Sequence, residues 1–432
     1  MVLTEFPPGF GGMQTHAVAM ASQLHAAGCA IRVLTYRPAA SDLSAAHAFD
    51  QAQPYPIDRC LSRLAYWSNV STIARAAQRH QADLLYSSTV YYGQAAQRAG
   101  LPIICRSAGN DVLRPWIAWP FRFASSLLDC SFFERSLYPW LRARHWPERL
   151  DALLSAQRQS LMLASAAAML HISANSDFSA AALRALGLPA SRLDCVPGGV
   201  DPDRFSPGPA QRAALGWPPD AFLLFTACRL VEKKGLPLLF TALAELAPRY
   251  PQLHLAIAGD GPERAKLQAL ARSHQVESRL HWCGRLDAAA MALAYRSADL
   301  FVFPSRVIRR SNGWLDAETM GRVLCEANAS GLPVLAAASG GIPSIITHGD
   351  NGLLFPEGDA TALAASLETL LLDPALRARL AAAGRRRALQ DFAWSRLVAH
   401  ERSVIARVLL DTGSSIITEK VGVTKPQVWE SD

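Results

Sequence analysis

The chain has no window approaching the ~18 uninterrupted apolar residues of a membrane-spanning helix. Its first residues, MVLTEFPPGFGG, have neither a basic start nor a long apolar core, so a secretory signal is not expected. The eight cysteines (Cys29, Cys60, Cys105, Cys130, Cys195, Cys228, Cys283 and Cys325) form no CxxC pair. That pattern argues against a zinc ribbon or a dithiol redox site and fits free thiols in a reducing cytoplasm. Neither GxGxxG nor a Walker lysine is present, which removes the dinucleotide and P-loop fingerprints. Asp201-Pro202-Asp203 has the form of a DxD motif but lies in a Pro- and Gly-rich stretch and reads as a turn, so no metal is expected there. Charged residues are only 18% of the chain, yet they leave a net +7. That balance suits anionic ligands such as nucleotides, phosphates or acidic lipid heads, without choosing among them.

Half of the residues are hydrophobic, and a length of 432 residues is enough for two or three domains. The first half alternates strands (VLT, AIRVLTY, ADLLYSS, PIICRS) with helical patterns, including MQTHAVAMASQLHAAG, which ends at Gly28. Such alternation predicts a parallel sheet covered on both faces. The first strand is short, as if the start were truncated or the initiator Met late. Residues 112–158 break the rhythm. They hold Trp116, Trp119, Phe121, Phe123, Phe132, Phe133, Tyr138, Trp140 and Trp146, interleaved with Arg114, Arg122, Arg135, Arg142, Arg144 and Arg149. This is either a helical insertion packed on its own domain or an amphipathic surface for a lipid interface or an acceptor. CVPGGVDPDRFSPGP has no helical period and reads as an interdomain linker. The alternation then restarts with AFLLFTA, LHLAIAG, RLHWCG, ADLFVFPS, PVLAAAS and NGLLFP as strands. The expected layout is an N-terminal domain over 1–195, a linker at 196–209, a C-terminal domain over 210–391, an amphipathic helix over 392–410 and a polar tail, 411–432.

Ligands of doubly wound sheets bind outside the carboxyl ends of the strands, so the loops there carry the candidates. Arg229 follows AFLLFTA directly, and Lys234 precedes Gly235 and a new helix. A guanidinium fork, a point charge and a helix N-terminus together suit a diphosphate, although a solvated basic loop would read the same way. AGDGPE after the next strand is either a structural turn or a ligand loop. Gly11 and Gly12 stand between the first strand and the first helix, where backbone can approach a ligand closely.

The stretch ETMGRVLCE places Glu318 and Glu326 eight positions apart beside apparently buried sequence, where an unpaired carboxylate is costly. On a continuous helix the two would be ~12 Å apart and rotated by ~80°. That exceeds the ~5 Å of a retaining hydrolase pair. It fits two grips on one extended ligand, with the hexose at one end, the ribose at the other and the diphosphate between.

In this order, CRLVEKKGL, IAGDGPE, WCGRL, ETMGRVLCEANASGLPVLAAASGGIP, NGLLFPEGD and FAWSRL resemble the retaining GT-B glycosyltransferases of glycosyltransferase family 4 over about residues 1–410. The resemblance implies an α/β fold: two doubly wound Rossmann-like domains facing a cleft, with a C-terminal helix crossing back. It implies that Arg229 and Lys234 bind the diphosphate. Glu318 would hold the donor sugar, with Thr319, Met320 and Gly321 offering backbone, and Glu326 would bind ribose. Arg285 and Leu286 fall where the family contacts the base, and Gly11, Gly12, Asn110 and Asp111 lie on the donor and acceptor loops of the N-terminal domain.

Two positions depart from the family. Ala108 stands where many relatives have a histidine, and His16 near the glycine loop reads as structural. The sugar loop is Glu-Thr-Met-Gly instead of Glu-Gly-Phe-Gly, a change that bears on donor preference. The implied activity is metal-independent transfer of a hexose, with retention, from a nucleotide sugar to a glycan, lipid-linked or small-molecule acceptor. It needs no cofactor and no nucleic-acid partner, and it would occur in the cytoplasm, either free or peripheral to the membrane's inner face. The alternatives are a nucleotide-sugar epimerase or hydrolase on the same fold, and a non-catalytic nucleotide-sugar-binding protein.

Overall fold

A computed structural model describes residues 1–9, 11–114, 117–121, 133–310 and 313–413. The chain divides into two units. Met1–Ala174, Ser179–Cys195 and the chain from Val398 on form the first, and Asn175–Phe178 with Val196–Leu397 form the second.

The first unit is built on β1 (Val33–Tyr36), β2 (Ile57–Leu61), β3 (Leu85–Ser87), β4 (Ile103–Ser107), β5 (His171–Ala174) and β6 (Leu193–Cys195). The stretch VLT contributes less than a full strand. Val2 alone bridges Leu34 on one side and Ser87 on the other, and so joins the β1–β2 pair to the run β3-β4-β5-β6. The Val2 N–H donates to the Tyr86 carbonyl at 2.7 Å and the Leu3 N–H to the Leu34 carbonyl at 3.0 Å. All pairings are parallel, and β1, β3, β4 and β5 are buried at every position, as a sheet covered on both faces requires. Chain order turns back at Val2, so the glycine loop behind it stands at a topological switch point.

The second unit holds β7 (Phe222–Ala227), β8 (Leu253–Ala258), β9 (Leu280–Gly284), β10 (Leu300–Phe303), the two-residue strands β11 (Ile308–Arg309) and β12 (Leu315–Asp316), β13 (Val334–Ala337) and β14 (Leu353–Phe355). Its main sheet runs β14-β13-β10-β7-β8-β9, parallel throughout. The order reverses between β7 and β10, which is where an open α/β sheet binds its ligand. β11 and β12 form a small antiparallel hairpin that the sequence reading did not anticipate.

The expected linker is docked within the second unit. The Gly199 and Val200 N–H groups donate to the Phe392 carbonyl at 2.8 and 3.0 Å. A Cβ on Gly198 would come within 2.9 Å of Phe392 backbone. Asp201 Oδ1 accepts from the N–H groups of Asp203 and Arg204, each at 3.1 Å, so the Asp-Pro-Asp stretch forms a turn.

Helix Trp394–Asp411 closes the described chain. From Val398 on it belongs to the first unit, where Glu401 meets Arg106 of β4 at 3.2 Å with both side chains almost wholly buried. Arg106 Nε also donates to His16 at 3.0 Å, which gives that histidine a structural duty. The ligating atoms of His171, Asp194 and His400 lie within 4.8 Å of one another, a spacing a metal could use. A guanidinium only donates, so Arg407 at 3.1 Å makes His171 Nδ1 an acceptor, and His171 Nε2 stands 3.1 Å from Asp194.

The aromatic segment divides. Phe133 is fully buried, and its ring centroid lies 5.4 Å from that of Trp119. Trp140 and Trp146 are exposed, with the Arg144 and Arg149 guanidiniums 4.1 and 5.9 Å from their rings. Trp116, Phe123, Phe132 and Arg122, the side chain of Arg135, Cys130, and the tail from residue 414 on lie outside the described residues. Seven cysteines are described, all as free thiols. No described helix is long and apolar enough to cross a membrane.

Glu401→Ala leaves the Arg106 guanidinium buried without its counter-charge. It is expected to reduce unfolding free energy by about 3 kcal/mol, measured by urea denaturation. A change of a few tenths of a kcal/mol would show that the pair does not hold the helix.

Candidate functional site

The site forms at the carboxyl ends of the neighbouring strands β7 and β10. After β7 the chain makes a short turn, Glu232–Lys234, that ends at Gly235 with φ 65°, and helix Leu236–Leu246 follows. A side chain at Gly235 is impossible, since its Cβ would stand 1.9 Å from the Pro304 carbonyl oxygen behind β10. That close approach carries Lys234 across to the loop behind β10. Its ammonium donates to Glu318 in a short hydrogen bond and lies 4.7 Å from the ring centroid of Phe303, the last residue of β10.

Glu318 is not on a helix. The helix begins at Arg322, with Gly321 as its cap at φ 86°, so the ~12 Å helical spacing to Glu326 does not apply. The loop is held instead by close backbone contacts. The Gly341 N–H donates to the Glu318 carbonyl at 2.8 Å. A Cβ on Gly341 would fall 1.8 Å from the Thr319 carbonyl oxygen, and one on Gly340 would fall 2.3 Å from that of Glu318. Burial pushes the Glu318 carboxyl up, but the Lys234 and Lys233 ammoniums and the Gly321 N–H outweigh it and hold the carboxyl below its usual range. The Cys228 thiol beside this pair is pushed up to about 11 by burial and stays protonated, so it offers no thiolate nucleophile.

Arg229 is exposed, and among the described residues no side-chain partner holds it. Its loop rests on AGDGPE. A Cβ on Gly259 would lie 1.9 Å from the Cys228 carbonyl oxygen, and the Leu230 N–H donates to the Asp260 carbonyl at 3.0 Å. Those glycines therefore serve the packing of two loops. Arg285 is exposed behind β9, while Leu286 is half-buried against the core.

Glu326 is buried, accepting from the Tyr295 hydroxyl at 3.0 Å and lying 3.2 Å from Arg322 Nε. A carboxylate has about four acceptor positions, so a diol can still be bound. Thr319 and Met320 turn their side chains to the protein. Asn175 donates to the Thr319 hydroxyl at 3.3 Å, and the Gly198 N–H points at Met320 Sδ at 3.4 Å. The Thr-Met pair of this loop thus takes part in local packing.

In the first unit, Gly11 and Gly12 open helix Gly12–Ala26 at the switch point, and Asn110 begins a short helix behind β4. The Asp111 carboxylate is buried and accepts from Ser107 Oγ at 2.7 Å and the Val90 N–H at 2.9 Å, so it shapes the loop. Burial pushes its carboxyl up. Sequence reasoning missed Lys233, Asn175, Tyr295 and Arg322. Of these, only Arg322, four residues before Glu326 on one helix, had a readable spacing.

Residues 10–204 match the model described as Glycosyltransferase Family 4, and residues 208–387 match Glycosyl transferases group 1. The chain belongs to glycosyltransferase family 4. Similar to this family 4 protein is the GDP-mannose-dependent alpha-(1-6)-phosphatidylinositol monomannoside mannosyltransferase of Mycolicibacterium smegmatis. It is 37% identical over 212 residues, 48% of this chain and 54% of the relative. The chain therefore spans about half the length of the mannosyltransferases it matches. A glycogen synthase of Mycobacterium tuberculosis is 27% identical over 91% of both chains. Among solved structures, sucrose-phosphate synthase from Thermosynechococcus elongatus has TM-score 0.70 at 21% identity, covering 95% of this chain and 98% of that one. Anabaena HepE in complex with UDP-glucose has TM-score 0.68 at 20% identity, covering 95% and 99%. These likenesses and the two Rossmann-like units give the chain the GT-B fold.

Lys234→Met is expected to free the Glu318 carboxyl to rise. Glu318's depressed folded value makes its stabilisation complete above the usual carboxyl range and lost as pH falls through it. The variant should therefore be about 2 kcal/mol less stable than the parent at neutral pH, with the gap closing below about pH 4. Urea denaturation across pH checks this. Gly341→Ala is expected to disrupt the Glu318 loop and lower the melting temperature, checked by calorimetry.

Proposed function

We propose that this protein is a retaining hexosyltransferase that moves a sugar from a nucleotide diphosphate sugar, with GDP-mannose the first donor to test, to a lipid-linked glycan. The observation that carries the reading is the Lys234–Glu318 pair, held at the carboxyl edge between β7 and β10. Lys234 spends one of its three donors on Glu318 and keeps two for diphosphate oxygens. Arg229, exposed and unheld, is the second cation for the same group. Glu318 keeps acceptor capacity for sugar hydroxyls, and Glu326, fixed by Tyr295 and Arg322, takes the ribose. The GDP-mannose dependence of the named mannosyltransferases supports the choice of donor.

The protein's contribution is alignment and stabilisation of the charge that develops on the leaving diphosphate. With no nucleophile among the described residues placed beside Glu318, the acceptor attacks the face the diphosphate leaves, and a diphosphate oxygen takes its proton. Two cationic side chains cover the phosphates, so the scheme needs no metal.

The acceptor reading rests on Trp140 and Trp146, exposed beside Arg144 and Arg149. Aromatic bodies with cationic tips suit an anionic lipid surface. The Mycolicibacterium smegmatis relative is named for a phosphatidylinositol monomannoside acceptor, which supports a membrane-borne acceptor. This surface and the free thiols favour work in the cytoplasm, peripheral to the membrane.

A thermal-shift and turnover panel of GDP-, UDP- and ADP-sugars tests the donor, and product analysis with labelled donor separates transfer from epimerisation and hydrolysis. The expected outcome is stabilisation by GDP and GDP-mannose above the other bases. Failure of every nucleotide to bind would end the reading. Arg229→Ala or Lys234→Ala is expected to raise the barrier by roughly 2–4 kcal/mol. Flotation with anionic vesicles at low salt should carry the parent protein and lose the Trp140→Ala/Trp146→Ala variant.

A further inference from the structure

Two adjacent lysines leave the turn Glu232–Lys234, and their heads reach consecutive stretches of one loop. Lys234 meets Glu318. Lys233 reaches just upstream. Its ammonium lies 3.0 Å from Asp316 Oδ1 and donates to the Ala317 carbonyl at 2.9 Å. The Lys233 and Asp316 side chains are only 15% and 17% exposed, so this is no solvent-screened surface pair. The hairpin that delivers the chain to Glu318 is weak by itself. β11 and β12 pair over two residues each, Ile308 with Asp316 and Arg309 with Leu315. Two-residue strands fix little register. The backbone adds one stitch, an Arg306 N–H donating to the Lys233 carbonyl at 2.8 Å. On its far side the Glu318 loop is already closed by Gly340 and Gly341. On its near side, Lys233 is the side chain that bonds both Asp316 and Ala317.

We propose that Lys233 is a positioning residue: by tying Asp316 and the Ala317 carbonyl to the turn that bears Lys234, it sets where the Glu318 carboxylate stands for the donor sugar. The inference rests on the glycosyl-transfer reading of the site. Lys233 touches no substrate in this role. Two of its three donors go to Asp316 and Ala317, while Lys234 keeps two for the diphosphate. Its positive charge, with that of Lys234, also faces Glu318. Asp316 is steadied further by Arg310, whose Nη2 lies 3.6 Å from its other oxygen, and Arg310 in turn reaches Glu232 at 3.4 Å. The turn and the hairpin are thus joined at both ends by charge pairs, and Lys233 is their most buried cationic member.

The test uses full-length Lys233→Met, which keeps the apolar stem and removes the donors, with Asp316→Asn and the double variant. The donor is whichever member of the panel gives turnover. Lys233→Met is expected to lower kcat/KM about tenfold to a hundredfold, mainly through kcat, while its melting temperature stays within a few degrees. The acid limb of its kcat/KM profile should move to higher pH, because Glu318 loses one of the two cations that hold it ionised; simple loosening of the fold would not move that limb. The double variant should be no worse than Lys233→Met alone. Parent-like kcat/KM and an unmoved acid limb in Lys233→Met would overturn the proposal. If the parent itself turns over no donor, the functional reading fails separately. The strut is then judged by unfolding: a double-variant loss smaller than the summed single losses supports it, and strict additivity refutes it.

Discussion

The structure of the second unit turns on one charged contact, the ammonium of Lys234 against the carboxylate of Glu318. Both groups are largely withdrawn from water, and each would be costly to bury alone. Together they are affordable only if two loops from neighbouring strands come close enough, and that need explains much of the surrounding sequence. Gly235 and Gly341 occupy positions where even a methyl group would overlap a carbonyl oxygen of the facing loop. Gly321 ends the loop with a positive φ and starts the helix that brings in Glu326.

The pair stands where the strand order of the sheet reverses, so the loops behind β7 and β10 diverge on either side of a crevice. A ligand there meets cationic groups from one strand end and carboxylates from the other. That polarity suits a molecule with a diphosphate in its middle and hydroxyls at its ends. Glu326 is pre-set by Tyr295 and Arg322 instead of being left as a lone buried charge, which keeps its remaining lone pairs directed.

The first unit shows the same economy in another form. Its glycine loop stands at a switch point created by the one bridging residue Val2. Asp111, which reads as a ligand contact in sequence, is used to fasten the loop behind β4 to the turn at Val90. The final helix is fixed to this unit by the buried Arg106–Glu401 pair, and the same helix brings Arg407 to within 3.1 Å of His171 Nδ1 and His400 to within 3.3 Å of Asp194.

Much of this was legible in the residues because it is periodic or local. Apolar runs separated by glycine turns gave the parallel strands, and the order CRLVEKKGL, IAGDGPE, ETMGRVLCE marked the loops that matter. What could not be read depends on which distant groups meet. Helical spacing misplaced Glu318, since the capping glycine at 321 begins the helix after it. The hairpin of β11 and β12 is too short to leave a period, and Lys233 was indistinguishable from a solvated neighbour of Lys234 until Asp316 lay beside it. Composition and pattern determined the fold class and the identity of the charged groups, because backbone preference and burial act along the chain. Only the tertiary structure decided which of those groups face a ligand and which are spent on one another, because Coulomb and hydrogen-bond energies depend on separations through space, where residues eighty positions apart become partners.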